Sequence, residues 1–290
     1  MSGLRVRPPK AMKNVPHRIE LTQESFADGP VFVDRPDCVV LLNEDVWVNF
    51  NSVESPGATP FHLGWFGAII VRASRVYIDL QGHTIGMADA YRNQQRFFAM
   101  IELCNTPLPK GKGGFETEPI SLDDIVVRNG HIVSTSHHCI HAVQAGSRWL
   151  FEDLDMKGFE VGAISVNAAS DLMIRRCTIG YPMRPATTSD EVMVRDLARS
   201  CERIGSKTVA AEMRKMLSSM SSAPAASDAL IRCIVIMPQF NVGRPKKVED
   251  SKRIKRISVH DITFADIRAA PVEVVGIRGR DDLPLKDVNG

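Results

Sequence analysis

Asp124–Ile132 reads DIVVRNGHI, and the same nine-residue pattern recurs at Arg148–Met156 (RWLFEDLDM), Asp171–Ile179 (DLMIRRCTI) and Arg256–Phe264 (RISVHDITF). Each copy opens on a polar or charged residue and is apolar at positions 2, 4 and 9, with a small, apolar or Cys residue at position 7. Arg75–Ile85 (RVYIDLQGHTI) follows the pattern with two extra residues. Alternation at positions 2 and 4 predicts a strand with one buried face. The Asn, Gly, Asp or Arg residues that follow bend the chain into a second short strand. Ile125, Trp149 and Leu172 are 24 and 23 residues apart, a period characteristic of solenoids.

A second pattern lies just upstream of these copies. Gly67–Ala73 (GAIIVRA), His138–Ala145 (HCIHAVQA), Gly162–Ala168 (GAISVNA) and Ala270–Gly276 (APVEVVG) each hold an apolar–x–apolar strand ending near a small residue. The second copy carries one extra residue, read as a bulge. The last copy follows its nine-residue partner and opens a further coil. One period thus contains two or three short strands and no helix, which excludes leucine-rich and helical repeats. On these patterns, and on Ile78–Ile85 (IDLQGHTI), the chain resembles the right-handed parallel β-helix superfamily, the pectate-lyase-like fold, from about Val31 to Gly279. The resemblance implies an all-β fold, a right-handed parallel β-helix solenoid, and is far less informative about activity. Such coils serve lyases, hydrolases, epimerases and structural fibres.

The expected organisation is an N-terminal arm and entry segment over 1–30 and coils over 31–184. A helical insertion follows over 185–229, then C-terminal coils over 230–279 and a tail over 280–290. The insertion rests on helical spacing of apolar residues at 192, 194, 197, 201 and 204 and again at 209, 213, 216, 217 and 220. Its Met-rich face is a candidate contact with a protein partner or a second copy. The chain has 290 residues, 44% hydrophobic content and a formal charge of +2, which suits a soluble unit with a long buried core and no overall polyanion affinity. Its six cysteines form no CxxC pair, and Cys177 falls at an inward position, so free thiols in a reducing compartment are expected. No secretory signal is visible at the basic N-terminus, and no apolar run approaches the roughly 18 residues of a membrane span. The expected location is intracellular or within a virion, with no membrane partner.

Stacked coils bring equivalent residues to about 4.8 Å from one another. Aligning Ile69, Ile101, Ile140, Ile164 and Val272 as inward puts Ile70, Glu102, His141, Ser165 and Glu273 outward in one row. Glu102, His141 and Ser165 then form a candidate catalytic group, since a carboxylate beside an imidazole raises its basicity and sets its tautomer. A solvent-facing polar ladder is the plainer reading of the same row. Cys139 and His141 share a face of an ideal strand, but two ligands make no metal site and no zinc spacing is present. No metal or cofactor is expected. Position 5 of the nine-residue copies supplies a second row, Arg128, Glu152, Arg175 and His260. It reads as a charge ladder that holds strand register, or as an anionic-sugar groove contacted by Arg128 and Arg175, with Glu273 of the first row a further candidate substrate-binding residue.

Arg253-Ile254-Lys255 matches the short RIK element of polygalacturonase-like hydrolases, but their Asn-Thr-Asp and Gly-His-Gly motifs are absent. The carboxylate cluster of calcium-dependent pectate lyases is absent too. The basic run Arg244–Arg256 has no interleaved aromatics, so nucleic acid is not an expected partner. Two functions remain. One is binding or processing of an oligosaccharide or polysaccharide, as lyase, hydrolase or epimerase. The other is a non-catalytic structural or assembly role, as in a viral particle, favoured by three Trp and three Tyr being few for sugar stacking.

Overall fold

The computed structural model describes residues 15–50, 66–92, 98–103, 121–142, 145–167, 169–180, 211, 232–237, 255–265 and 272–274. Apart from Ala211, the expected helical insertion lies outside these, as do the tail, residues 1–14 and most of the basic run. In chain order the strands are β1 (His17–Leu21), β2 (Val31–Val33), β3 (Cys38–Leu42), β4 (Val46–Val48), β5 (Gly67–Val71), β6 (Val76–Asp79), β7 (Thr84–Met87) and β8 (Ala99–Glu102). They continue as β9 (Leu122–Thr135), β10 (His138–Ala142), β11 (Gly146–Phe159), β12 (Gly162–Asn167), β13 (Ala169–Ile179), β14 (Arg232–Met237), β15 (Lys255–Phe264) and β16 (Val272–Val274). Helix among the described residues is limited to one turn at Asp89–Arg92, a 3-10 turn at Gln23–Phe26, and Ala211, which is helical and falls within the expected insertion. β1 falls within the segment expected to be an arm and pairs with β3 over five residues, so sheet structure begins before Val31.

The strands form two parallel sheets. The nine-stranded sheet runs β1-β3-β6-β9-β11-β13-β15, with β4 and β7 beside this path, and the seven-stranded sheet runs β2-β5-β8-β10-β12-β14-β16. Within each path the strands follow chain order, and the chain passes through the other sheet between most neighbours. That arrangement is compatible with a solenoid-like fold. Registers agree with the nine-residue pattern. Position 2 stacks Val76, Ile125, Trp149, Leu172 and Ile257, and position 4 stacks Ile78, Val127, Phe151, Ile174 and Val259. All ten side chains are buried in one hydrophobic core. Fully burying an apolar side chain of this size contributes about 1.5–3 kcal/mol, so these rows drive the fold.

The bends have a common backbone cause. Position 6 residues Asn129, Asp153, Arg176 and Asp261 have φ between 50° and 59°, as does Gln81 at φ 51°. Position 1 residues Arg75, Asp124, Arg148, Asp171 and Arg256, with Asp37 on β3's flank, are also left-handed. This conformation costs an L-residue roughly 1–2 kcal/mol, less for Asn and Asp. At position 1 the charges alternate along the stack, and each Arg takes the preceding Asp in a two-toothed grip. Arg75 bonds Asp37 at 2.7 and 2.8 Å, Arg148 bonds Asp124 at 2.7 and 2.8 Å, and Arg256 holds Asp171 in the same way. The bidentate pairs span adjacent strands of the sheet and offset the strained backbone.

The extra residue of the second upstream copy is not a bulge within β10. Ala142 aligns with Val166 while Gly146 aligns with Ala169, so the extra residue falls between Ala142 and Gly146. Gly146 itself marks a tight approach. A Cβ there would stand 2.0 Å from Cζ2 of Trp149 and 2.3 Å from the Leu122 carbonyl oxygen, which accepts the Trp149 indole N–H at 3.0 Å. Gly146→Ala is therefore expected to displace the buried indole and cost about 2–4 kcal/mol through overpacking and the lost hydrogen bond. Urea unfolding with tryptophan emission checks this, and an unchanged midpoint would show that Trp149 has room to move.

Candidate functional site

The seven-stranded sheet carries the expected row in the expected register. Phe32, Ile70, Glu102, His141, Ser165, Val235 and Glu273 are successive partners. Val235, from the Leu230–Met237 stretch, stands between Ser165 and Glu273. The next row inward is the ladder Ile69, Ile101, Ile140, Ile164 and Ile234, all buried at 0% exposure. The apolar residue of each strand thus turns one face to the core and leaves its successor on the opposite side.

That opposite side is covered rather than open, which corrects the expectation of an exposed groove. Glu102 is 1% exposed and Ser165 4%, while the His141 side chain retains 14%. Glu102 and His141 converge, with Glu102 Oε2 to His141 Nδ1 at 2.7 Å. With Glu102 ionised, Oε2 accepts the Nδ1 proton and leaves the lone pair on Nε2 for a general base. Burial pushes the Glu102 carboxyl above its ordinary range, and the neighbouring His141 opposes that shift. Ser165 adjoins His141 in register, but no side-chain hydrogen bond joins them.

Two further imidazoles complete the cluster. The His138 ring stacks on His141 with centroids 4.8 Å apart and planes 3° from parallel, and His137 meets His138 edge-on at 4.1 Å. Gly162, aligned with His138, brings no side chain into this row. The buried Oε1 of Glu102 and Nδ1 of His138 have no hydrogen-bond partner. Unpaired buried polar atoms are costly. The SHHCIH run showed the histidines, but the stacking of rings three residues apart is not something alternation encodes.

The Cys139 reading is overturned. Its Sγ lies in the hydrophobic core, 3.8 Å from the Ile132 carbonyl oxygen, and burial raises its thiol pKa. It does not share the face of His141. Among the described residues no group of three or more His, Cys, Asp and Glu gathers as a metal site. Cys38, Cys139, Cys177 and Cys233 are free and buried. Cys177 is in the core, as its repeat position indicates.

Arg128 and Arg175 lie on the other sheet, so they do not line one groove with Glu102, His141, Ser165 and Glu273. They belong to the charge ladder of position 5, where Asp79, Arg128, Glu152, Arg175 and His260 are partners in register. Arg128 reaches Asp79 at 3.0 Å and Glu152 at 3.9 Å, and Arg175 reaches Glu152 at 2.7 Å. Their charges are committed to strand neighbours. Sequence reading also missed a buried ion pair, Arg92 to Glu160 at 2.8 Å, between residues 68 apart with no shared motif.

The imidazole cluster predicts a pH dependence of stability. Burial holds His137 down to about 3, with His141 adding to the shift, and holds His138 well below 6.5, with His137 and His141 adding. The unfolded chain therefore binds more protons than the folded one below about pH 6.5, and stability falls as pH drops from there toward 3. His137 alone accounts for on the order of 1–2 kcal/mol at pH 5. Glu102 acts oppositely: its raised pKa contributes stability at low pH that is lost as pH rises above its unfolded value of 4.5. Urea midpoints should fall between pH 7 and pH 5, and His138→Gln should flatten that fall. Parallel curves for wild type and variant would refute a buried neutral His138.

The fold and this cluster define a two-sheet parallel-β protein with a covered Glu–His pair on its smaller sheet. Among the described residues no helix is long and apolar enough to cross a membrane. Compared with protein-family models, curated proteins and solved structures, the chain matches none.

Proposed function

We propose that the two sheets are faces of a right-handed parallel β-helix of the pectate-lyase-like kind, and that the chain processes carbohydrate at the Glu102–His141 pair. Strict chain order within each sheet supports the coil path, because each coil then contributes to both sheets. The observation that carries the activity is the 2.7 Å contact between Glu102 Oε2 and His141 Nδ1, beside the unpaired Glu102 Oε1 and His138 Nδ1. In this reading His141 Nε2 exchanges the proton at the sugar, Glu102 positions the ring, and Ser165 hydrogen-bonds a substrate hydroxyl. The test is turnover of an oligosaccharide panel by wild type and His141→Ala.

A second reading, a non-catalytic structural β-helix, is favoured by a different observation. The bidentate Asp–Arg pairs and the position 5 ladder make a register-holding scaffold, and the polar row of the smaller sheet is largely shielded from solvent. If the wild type turns over no panel member, this reading stands and the acid/base proposal fails.

A further inference from the structure

On the nine-stranded sheet, position 3 of the repeats forms a row in register across six strands: Val39, Tyr77, Val126, Leu150, Met173 and Ser258. Their sequence neighbours Val40, Ile78, Val127, Phe151, Ile174 and Val259 fill the core, so this row faces outward. Val126 is buried among its neighbours and the rest are half-buried. Five contiguous apolar residues on an outer sheet face differ from the scattered exposed apolar residues of ordinary surfaces. On either side run the ladders of positions 1 and 5, whose charges are mutually paired. An apolar centre with a charge-balanced rim is the anatomy of a protein interface.

We infer that this face is a two-fold self-association surface, and that its occupant is a second copy of the chain. The reason is the order of charges. A two-fold axis lying in the interface, parallel to the strands and passing between β9 and β11, reverses the strand order of the second copy. Val126 then stands opposite Leu150 and Tyr77 opposite Met173. The same operation sets Arg128 against Glu152, Asp79 against Arg175, Arg148 against Asp124 and Arg75 against Asp171. Every charge named meets its opposite, because each ladder alternates and the axis falls at a sign change. A partner of uniform charge would meet repulsion at alternate strands. Six strands about 4.8 Å apart and about 13 Å of strand from position 1 to position 5 give a face of roughly 300 Å² per copy, so the self-association belongs with weak, transient contacts.

Sedimentation velocity on the full chain, from about 1 to about 200 µM, should show a monomer–dimer equilibrium. Leu150→Glu places like charges near the axis and should raise the dissociation constant at least about tenfold, with an unchanged circular dichroism spectrum because the site faces outward. Trp47→Glu, at an exposed apolar residue on β4 outside the row, should leave the dimer intact. If Leu150→Glu does not fold, Met173→Ser supplies the same test with a smaller shift. A wild type that stays monomeric throughout overturns the inference, as does a dimer dissociated by Trp47→Glu and unmoved by Leu150→Glu.

Discussion

Ile174→Asp is expected to abolish or nearly abolish cooperative folding. Ile174 is 0% exposed and sits in register between Phe151 and Val259, with apolar core on its inner side. The substitution loses about 1.5–3 kcal/mol of apolar burial and adds the cost of a carboxyl with no partner, several kcal/mol more whether it ionises or stays neutral. Together these approach the whole stability of an ordinary domain, about 5–15 kcal/mol. Val127→Asp, one strand removed from Phe151 on the other side, should behave alike. The neighbouring Met173→Asp is the control, because Met173 is half-buried on the outward side of the strand, where a carboxylate can reach water, and its loss should be far smaller than that at Ile174. Urea unfolding followed by circular dichroism distinguishes them. Equal midpoints for Ile174→Asp and Met173→Asp would mean that the core is not where the alternation puts it.

His141→Ala carries the second large effect, in rate. Removing a positioned acid/base group costs about 10²–10⁴-fold. Glu102→Gln keeps the shape of the pair but offers the imidazole only a neutral acceptor, so its loss of kcat should be smaller and its pH–rate profile displaced. Folding must be measured beside rate, because His141 stacks on His138 and its loss leaves the 1% exposed Glu102 with both oxygens unpaired. A modest stability loss, about 1–3 kcal/mol, is therefore expected from His141→Ala. Turnover that survives in the folded variant would remove the proposed acid/base role. A rate loss without unfolding would support it.

The alternation of apolar residues at Ile125 and Val127, Trp149 and Phe151, and Leu172 and Ile174 was enough to place the strands, their inner faces and their register. A side chain one residue along a strand points the other way, so the pattern allows a single alignment. The same logic aligned Glu102, His141 and Ser165 across strands separated by 39 and 24 residues. The alternating Asp and Arg at position 1 were visible as polar starts, although their left-handed backbone and bidentate pairing were not. Neither follows from hydrophobic pattern, since both depend on the guanidinium of one strand reaching the carboxylate of the strand before it.

Tertiary structure alone decided three things. Cys139 and Ile140 both lie in the core and His138 stacks on His141, so β10 departs from the two-residue period on which the shared-face argument for Cys139 and His141 relied. Arg128 and Arg175 stand on a different sheet from Glu102, since the pattern defines the sides of one strand and not which sheet that strand joins. Glu102 and Ser165 of the polar row are buried while most of the apolar row of the larger sheet is only half-buried, the reverse of what polarity suggests. Periodicity reports the side of its own strand on which a residue lies. What shields that side is settled by residues distant in sequence, whose packing no local pattern records.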